Sequence, residues 1–212
     1  MAGREPPASP ADSAFRAALR RERLAARAAL PAAEHAALSL RLAGHLHAAF
    51  DALPPGRIGF CAAFRGEFDA LPVIRRLLAA GWEACMPVAE QPEAPLVFRT
   101  WTPQTVMAND RFGIAVPQAA PLSPPPGLLL LPLVAFDAAG FRLGYGGGYF
   151  DRTLAATVPR PLAVGIGFEL ARTGSVRPQP HDIPCDAIVT ENGWQMVPGG
   201  RMPDAIPTMQ TS

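Results

Sequence analysis

The sequence predicts a layered α/β domain with a largely parallel central sheet and helices on both of its faces. Three observations predict it. Leu128 to Val134 is a continuous apolar run bounded by Gly127 and, shortly after, by Asp137, the mark of a strand covered on both sides. Stretches with strand character alternate with stretches of helical spacing along the chain, as parallel layered sheets require. The chain has 212 residues, 49% of them hydrophobic, enough to bury a sizeable core in one domain. In such sheets ligands bind in the crevice beyond the carboxyl ends of the strands.

The elements follow in order. Residues 1–12 are rich in Pro and Ala and are expected to be disordered, residues 13–195 to form a single α/β domain, and residues 196–212 to be a flexible tail. Ser13 to Leu30 holds neither Pro nor Gly and has helical apolar spacing, with Asp12 or Ser13 opening it. A second helix is expected from Ala32 to Phe50, with Pro31 at its start. Arg57 to Phe64 reads as a buried strand. Asp69 to Ala80 reads as a helix stopped by Gly81 and capped by Asp69. Glu83 to Val88 and Leu96 to Trp101 read as strands. Val116 to Gly127 carries five prolines and is an extended connection. After Leu128 to Val134 come a helix from Tyr149 to Thr157, closed by Pro159, and strands at Leu162 to Phe168 and Ala187 to Thr190.

Composition excludes several functions. The 19 basic residues balance 18 acidic ones, for a formal charge of +1, which argues against duplex DNA or an anionic membrane as a bulk partner. All 19 basic residues are arginine. A Schiff-base lysine and a Walker A loop are therefore ruled out. Cys61, Cys85 and Cys185 are odd in number, far apart and set among apolar residues, which predicts buried structural thiols in a reducing compartment. With no apolar signal core at the N-terminus and no apolar run long enough for a bilayer, a soluble cytoplasmic protein is expected. His45 and His47, two apart on a helix, point in different directions and predict no metal site.

One segment carries chemistry: Leu131-Pro-Leu-Val-Ala-Phe-Asp-Ala-Ala-Gly-Phe-Arg-Leu-Gly-Tyr-Gly-Gly-Gly-Tyr-Phe-Asp-Arg152. Asp137 to Gly140 fits a type I turn. Gly144, Gly146, Gly147 and Gly148 then lead straight into a helix. Glycines let backbone N–H groups approach an anion, and the helix start adds unpaired donors. Arg142 and Arg152 supply permanent charge in a fork that suits phosphate oxygens. Asp151 puts a carboxylate where a phosphate-bridging magnesium would need one. The pattern is neither a dinucleotide fingerprint, since Tyr149 stands at the third glycine, nor a P-loop.

Pro132 to Leu154 resembles the signature of the 5-formyltetrahydrofolate cyclo-ligase family, differing from its pattern only in Phe150, and a weaker resemblance extends from about Phe15 to Thr190. The resemblance implies a fold of the sugar-phosphate isomerase and CoA-transferase layered type. It implies ATP-dependent conversion of 5-formyltetrahydrofolate, with or without a polyglutamate tail, to 5,10-methenyltetrahydrofolate, with Mg²⁺ as cofactor. It places Arg16, Arg20, Arg142, Leu143, Gly144, Tyr145, Gly146, Gly147, Gly148, Tyr149 and Phe150 at ATP. It places Arg20, Glu67, Phe112, Tyr145, Gly146, Gly147, Gly148 and Tyr149 at the folate, with Glu67 on the pterin and Phe112 closing over it. It assigns Asp151 and Asp182 to the metal. Arg142 is the expected catalytic group, though the sequence does not separate it from Arg152. Arg16 stands where the family has lysine. His181 reads as a surface histidine and Asp186 as structural.

Two other functions share these features. A sugar-phosphate isomerase or CoA-transferase-like enzyme would also use a glycine loop for an anion, but no matching catalytic carboxylate or lysine motif is present. A non-catalytic nucleotide-binding module would keep the loop and lose Glu67, Asp151 and Asp182, all of which are present. A nucleic-acid binder would need a basic aromatic stripe, which is missing.

Overall fold

The computed structural model describes residues 9–201. Of the expected terminal segments, residues 1–8 and 202–212 lie outside the described residues. The first helix, α1 (Pro10–Ala28), begins earlier than expected: Ser9, rather than Asp12 or Ser13, caps it by accepting the Asp12 N–H, and Pro10 opens the first turn. Residues 10–12 are therefore helical. Helix α2 spans Ala32–Phe50 as its spacing predicts.

The central sheet has seven strands: β1 (Arg57–Gly59), β2 (Glu83–Val88), β3 (Val97–Trp101), β6 (Leu128–Pro132), β9 (Leu162–Ile166), β10 (Ala187–Thr190) and β11 (Gly193–Met196). They lie in the order β11-β10-β9-β6-β1-β2-β3. Neighbours pair in parallel from β10 through to β2, and only the edges β11 and β3 run antiparallel. β6 is flanked on both sides, by β1 and β9. Its alternate residues feed opposite cores. Leu128 and Leu130 join one cluster with residues of α2 and α3 (Leu71–Ala79), and Leu129 and Leu131 join the other with Leu154 of α4 (Tyr149–Ala156). That period of two places helices on both faces.

Several strands are shorter than expected or were not foreseen. The strand expected to reach Phe64 stops at Gly59, and the chain then leaves the sheet. The helix expected from Asp69 begins at Leu71, whose N–H the Asp69 carboxylate accepts. Two small hairpins have no counterpart in the sequence reading: β4 (Met107–Asn109) with β5 (Ala115–Pro117), and β7 (Ala135–Phe136) with β8 (Arg142–Leu143). The expected tail starts too early, since Val197 is buried and Arg201 binds Asp186.

The topology positions a ligand. From β1 the chain passes through α3 to β2 on one side, while β6 and β9 continue on the other. The order thus reverses between β1 and β6, and a crevice opens at such a switch point beyond the carboxyl ends of the strands. No described helix is long and apolar enough to cross a membrane.

Candidate active site

A cleft of about 600 Å³ lies at this switch point. Its walls come from α1, the segment after β1, the β4–β5 hairpin, the loop from β8 into α4, and the segment before β10. Every residue proposed from sequence as a site residue lines it except Leu143. Leu143 is fully buried and packs with Leu19, Ala135 and Val176. Its carbonyl accepts the Val134 N–H, so it anchors the loop rather than facing the cleft.

The loop from Gly144 to Gly148 owes its shape to glycine at two positions. Gly146 has φ +101° and Gly148, the N-cap of α4, has φ +62°, a region that strains other residues. Arg20 steadies the loop by donating its Nε–H to the Gly144 carbonyl at 2.8 Å. Its two Nη groups have no hydrogen-bond partner among the described residues, so they can serve an anion. Burial lowers the Arg20 pKa, and the neighbouring Arg16 charge adds to this. Both effects favour an incoming negative group.

Arg142 and Arg152 separate here. Arg142 borders the cleft, donating to the Ile183 carbonyl at 2.6 Å and to Asp151 Oδ1 at 3.1 Å. Arg152 turns back on its own loop, bonding the Gly147 carbonyl and covering the Tyr149 ring, and does not line the cleft. Asp151 also accepts the Ile183 N–H, which ties α4 to the segment that carries Asp182.

Asp182 and Arg16 form a buried ion pair through both carboxylate oxygens. Burial pushes the Asp182 carboxyl up, but Arg16, the Gln179 N–H and His181 outweigh it and leave its pKa below the ordinary value. Arg16, expected at the nucleotide, spends its guanidinium on Asp182 and the Arg177 carbonyl. His181 sits at the cleft rim with its side chain largely exposed. No group of three or more His, Cys, Asp or Glu side chains suited to a metal exists among the described residues. Asp151 and Asp182 both line the cleft, and a magnesium ion held there would take its remaining ligands from phosphate oxygens and water, the usual arrangement for that ion.

Glu67 stands on the opposite wall, buried. Its Oε2 accepts the Phe64 N–H at 3.0 Å and its Oε1 accepts the Tyr145 hydroxyl at 2.8 Å. Each oxygen keeps a lone pair for a ligand. Burial raises its pKa; Tyr145, Arg27 and the Phe64 N–H oppose the rise. Phe112, on the β4–β5 turn, is half exposed and meets Tyr149 edge-on at 6.0 Å. Arg111 lies over both rings and bonds the Tyr149 hydroxyl. Cys61 borders the cleft instead of the core, whereas Cys85 and Cys185 are buried as expected.

Sequence reasoning missed Arg27 and Arg23. Arg27 contacts Glu67 and Tyr145 from behind, with Arg23 beside it. Their spacing from Arg16 and Arg20 was the available signal.

A family model describing the 5-formyltetrahydrofolate cyclo-ligase family matches residues 12–191. The 5-formyltetrahydrofolate cyclo-ligase of Escherichia coli (strain K12) is 36% identical over 135 residues, which are 60% of this chain and 74% of that protein. The enzyme of that name from Mycolicibacterium smegmatis is 31% identical over 140 residues, 58% of this chain and 68% of that one. The solution structure of Aquifex aeolicus 5,10-methenyltetrahydrofolate synthetase superposes with a TM-score of 0.74 at 26% identity, covering 90% of this chain and 96% of that one. With a matching family model over most of its length and these relatives, the chain belongs to the 5-formyltetrahydrofolate cyclo-ligase family.

Proposed function

We propose that this cleft converts 5-formyltetrahydrofolate and ATP to 5,10-methenyltetrahydrofolate, ADP and phosphate. The observation that carries the reading is the 2.8 Å hydrogen bond from Tyr145 to Glu67. It joins the glycine-rich loop, suited to phosphates, to the buried carboxylate suited to a pterin, so both substrates would meet in one space.

The chemistry needs that meeting. A formamide oxygen is a poor leaving group. Transfer of the γ-phosphoryl group to it makes an iminium phosphate and releases ADP; N10 attacks the activated carbon and closes the ring, and the C–O bond then breaks, so that phosphate departs and the N10 proton is lost with it. Phosphoryl transfer depends on positioning and charge stabilisation more than on a protein nucleophile. The loop amides and the spare Nη donors of Arg20 would hold the phosphates. Arg142, at the cleft wall, would stabilise charge on the transferring group. Glu67 would accept two N–H bonds from the pterin, with Tyr145, Tyr149 and Phe112 stacking about it. A magnesium ion on Asp151 and Asp182 would neutralise phosphate charge. The three unpaired cysteines suit a reducing cytoplasm.

Incubation with 5-formyltetrahydrofolate, with and without Mg-ATP, tests the reading through the near-ultraviolet absorbance of the methenyl product. Absorbance that grows only with Mg-ATP supports it. No growth, or growth independent of ATP, overturns it.

A further inference from the structure

Resting on the reading of Glu67 as the pterin-binding carboxylate, we infer that Arg27 is a positioning residue for the folate: from behind the cleft it aligns Glu67 and Tyr145 and supplies their counter-charge. Arg27 sits in the last turn of α1 and is 7% exposed. Each of its three nitrogens has a hydrogen-bond partner. Nε–H bonds the Arg65 carbonyl at 3.0 Å, Nη1 the Leu133 carbonyl at 3.0 Å and Nη2 the Tyr145 hydroxyl at 2.9 Å. Nη2 also lies 3.7 Å from Glu67 Oε1. The Tyr145 hydroxyl therefore accepts from Arg27 and donates to Glu67, which makes a directed relay from α1 to the carboxylate.

Arg27 does not line the large cleft. It borders a separate cavity of about 10 Å³ behind Glu67, room for a single water. It can reach a ligand only through Glu67 and Tyr145. Its geometry also explains why arginine stands there. Three acceptors from three separate segments lie around one guanidinium, a task for a rigid planar fork and not for a compact ammonium. The Arg65 carbonyl matters doubly, because Arg65 has φ +49° and begins the turn that delivers Glu67.

A buried carboxylate without a counter-charge takes up a proton instead. The groups facing Glu67 are few. α1 contributes Arg27, and Arg23 around the small cavity. The segment after β1 contributes Cys61, whose thiol burial and Glu67 itself push upward in pKa, and Arg65, which lies over the Phe64 and Tyr145 rings. The glycine-rich loop contributes Tyr145. His35 of α2 bonds the Gly66 carbonyl at 3.0 Å. Of these, Arg27 is the cation paired with the carboxylate. Removing it leaves burial less opposed, so Glu67 would protonate at a higher pH and lose its acceptor role on the pterin.

The test compares Arg27→Gln, Arg27→Lys and Glu67→Gln with wild type, varying each substrate across pH. Arg27→Gln should raise the folate KM about tenfold or more while the ATP KM changes little. It should also move the acid limb of the folate kcat/KM profile to higher pH. Arg27→Lys keeps the charge, so the limb should stay near its wild-type position while the folate KM rises by less. A purely structural role would lower the melting temperature and harm both substrates alike without moving the limb; that result overturns the inference. If Arg27→Gln fails to fold, an equal effect of Arg27→Lys on both substrates overturns it as well. Glu67→Gln separates the two readings. If that variant keeps a wild-type folate KM, the pterin role of Glu67 falls. Arg27 is then judged by a carbon-13 titration of the Glu67 carboxyl, where a higher pKa in the Arg27 variant upholds the pairing and an unchanged one removes it.

Discussion

Gly144 allows the phosphate cradle to be tested without disturbing the fold. A Cβ built there meets nothing within 4 Å, and Gly144 is absent from the positive-φ residues. Gly144→Ala should therefore leave stability within about 0.5 kcal/mol of wild type. Gly148 is the contrast. Its left-handed backbone would strain alanine by about 1–2 kcal/mol, offset by about 0.4–1 kcal/mol from a stiffer unfolded chain. A Cβ there would lie 2.9 Å from Arg152 Nη1, and displacing that side chain from the Gly147 carbonyl costs about 0.5–1 kcal/mol more. The net loss of about 1–2 kcal/mol corresponds to a melting temperature lower by roughly 2–8 °C in a chain of this size. Gly44, exposed within α2 and also without a neighbour inside 4 Å, is the control, and Gly44→Ala should stabilise by up to about 1 kcal/mol. Activity separates them differently. If phosphates rest on the loop amides, a methyl at residue 144 keeps them off, and one lost charge-assisted bond of about 1.5–3 kcal/mol raises the ATP KM roughly 10- to 100-fold. Thermal melts and steady-state kinetics with ATP varied read both effects. A Gly144→Ala enzyme that melts like wild type and also keeps its ATP KM would refute the cradle, because an unobstructed methyl would then meet no ligand.

Three further outcomes are expected. Arg142→Ala should lower kcat/KM by about 2–4 kcal/mol, roughly 30- to 1000-fold, if Arg142 stabilises the transferring phosphoryl group; near-normal turnover would move that role to Arg20. Glu67→Gln should raise the folate KM far more than the ATP KM in initial-rate measurements, and equal changes would remove its pterin role. Asp186 is buried and bound by Arg201, the Ala163 N–H and Arg160; burial raises its carboxyl, but these partners leave its pKa below the ordinary 3.8. A depressed acid stabilises above its unfolded pKa and loses that contribution as pH falls through its folded pKa, so the melting-temperature gap between wild type and Asp186→Asn should be wide near neutrality and narrow below about pH 3.8. A gap that ignores pH would show that Asp186 contributes through packing alone.

What the sequence disclosed depended on the length of the physical signal. β6 was legible because burial on both faces leaves an unbroken apolar run, and α2 because nineteen residues carry several turns of spacing. The pairs β4–β5 and β7–β8 have strands of two or three residues, too short to display any period. The strand signal runs past β1 because Phe60 is a buried residue of the core, while Cys61, Ala62 and Phe64 line the cleft, a distinction that hydrophobicity does not encode. The glycine loop was legible because positive φ and a helix start both demand particular residues. Leu143 was misjudged for the opposite reason: membership of a conspicuous motif says nothing about which way a strand residue points.

The least legible feature was the arginine face of α1. Arg16, Arg20, Arg23 and Arg27 recur at intervals of four, three and four, the spacing of one helix face. Such a face normally reads as solvated, yet here it points inward while Arg21 is exposed. The reason lies in the acceptors. Gly144, Arg65, Leu133 and Arg177 offer loop carbonyls to these guanidiniums, and Leu170 offers one from a short 3-10 helix, Glu169–Ala171. Buried carbonyls outside regular pairing need a donor, and an arginine fork can satisfy two of them at once where a lysine would offer a point charge. The stripe thus closes the cleft by fastening loops from several strand ends to one helix. Arg16 and Arg27 place both of their Nη groups on protein partners, and Arg23 divides its own between the Leu170 carbonyl and Glu22. Arg20 is the member whose terminal donors have no partner among the described residues, and it stands 3.8 Å from a Cβ position on Gly146. A helix that is structural along most of one face would therefore offer donors to a ligand at the single turn that meets the glycine loop.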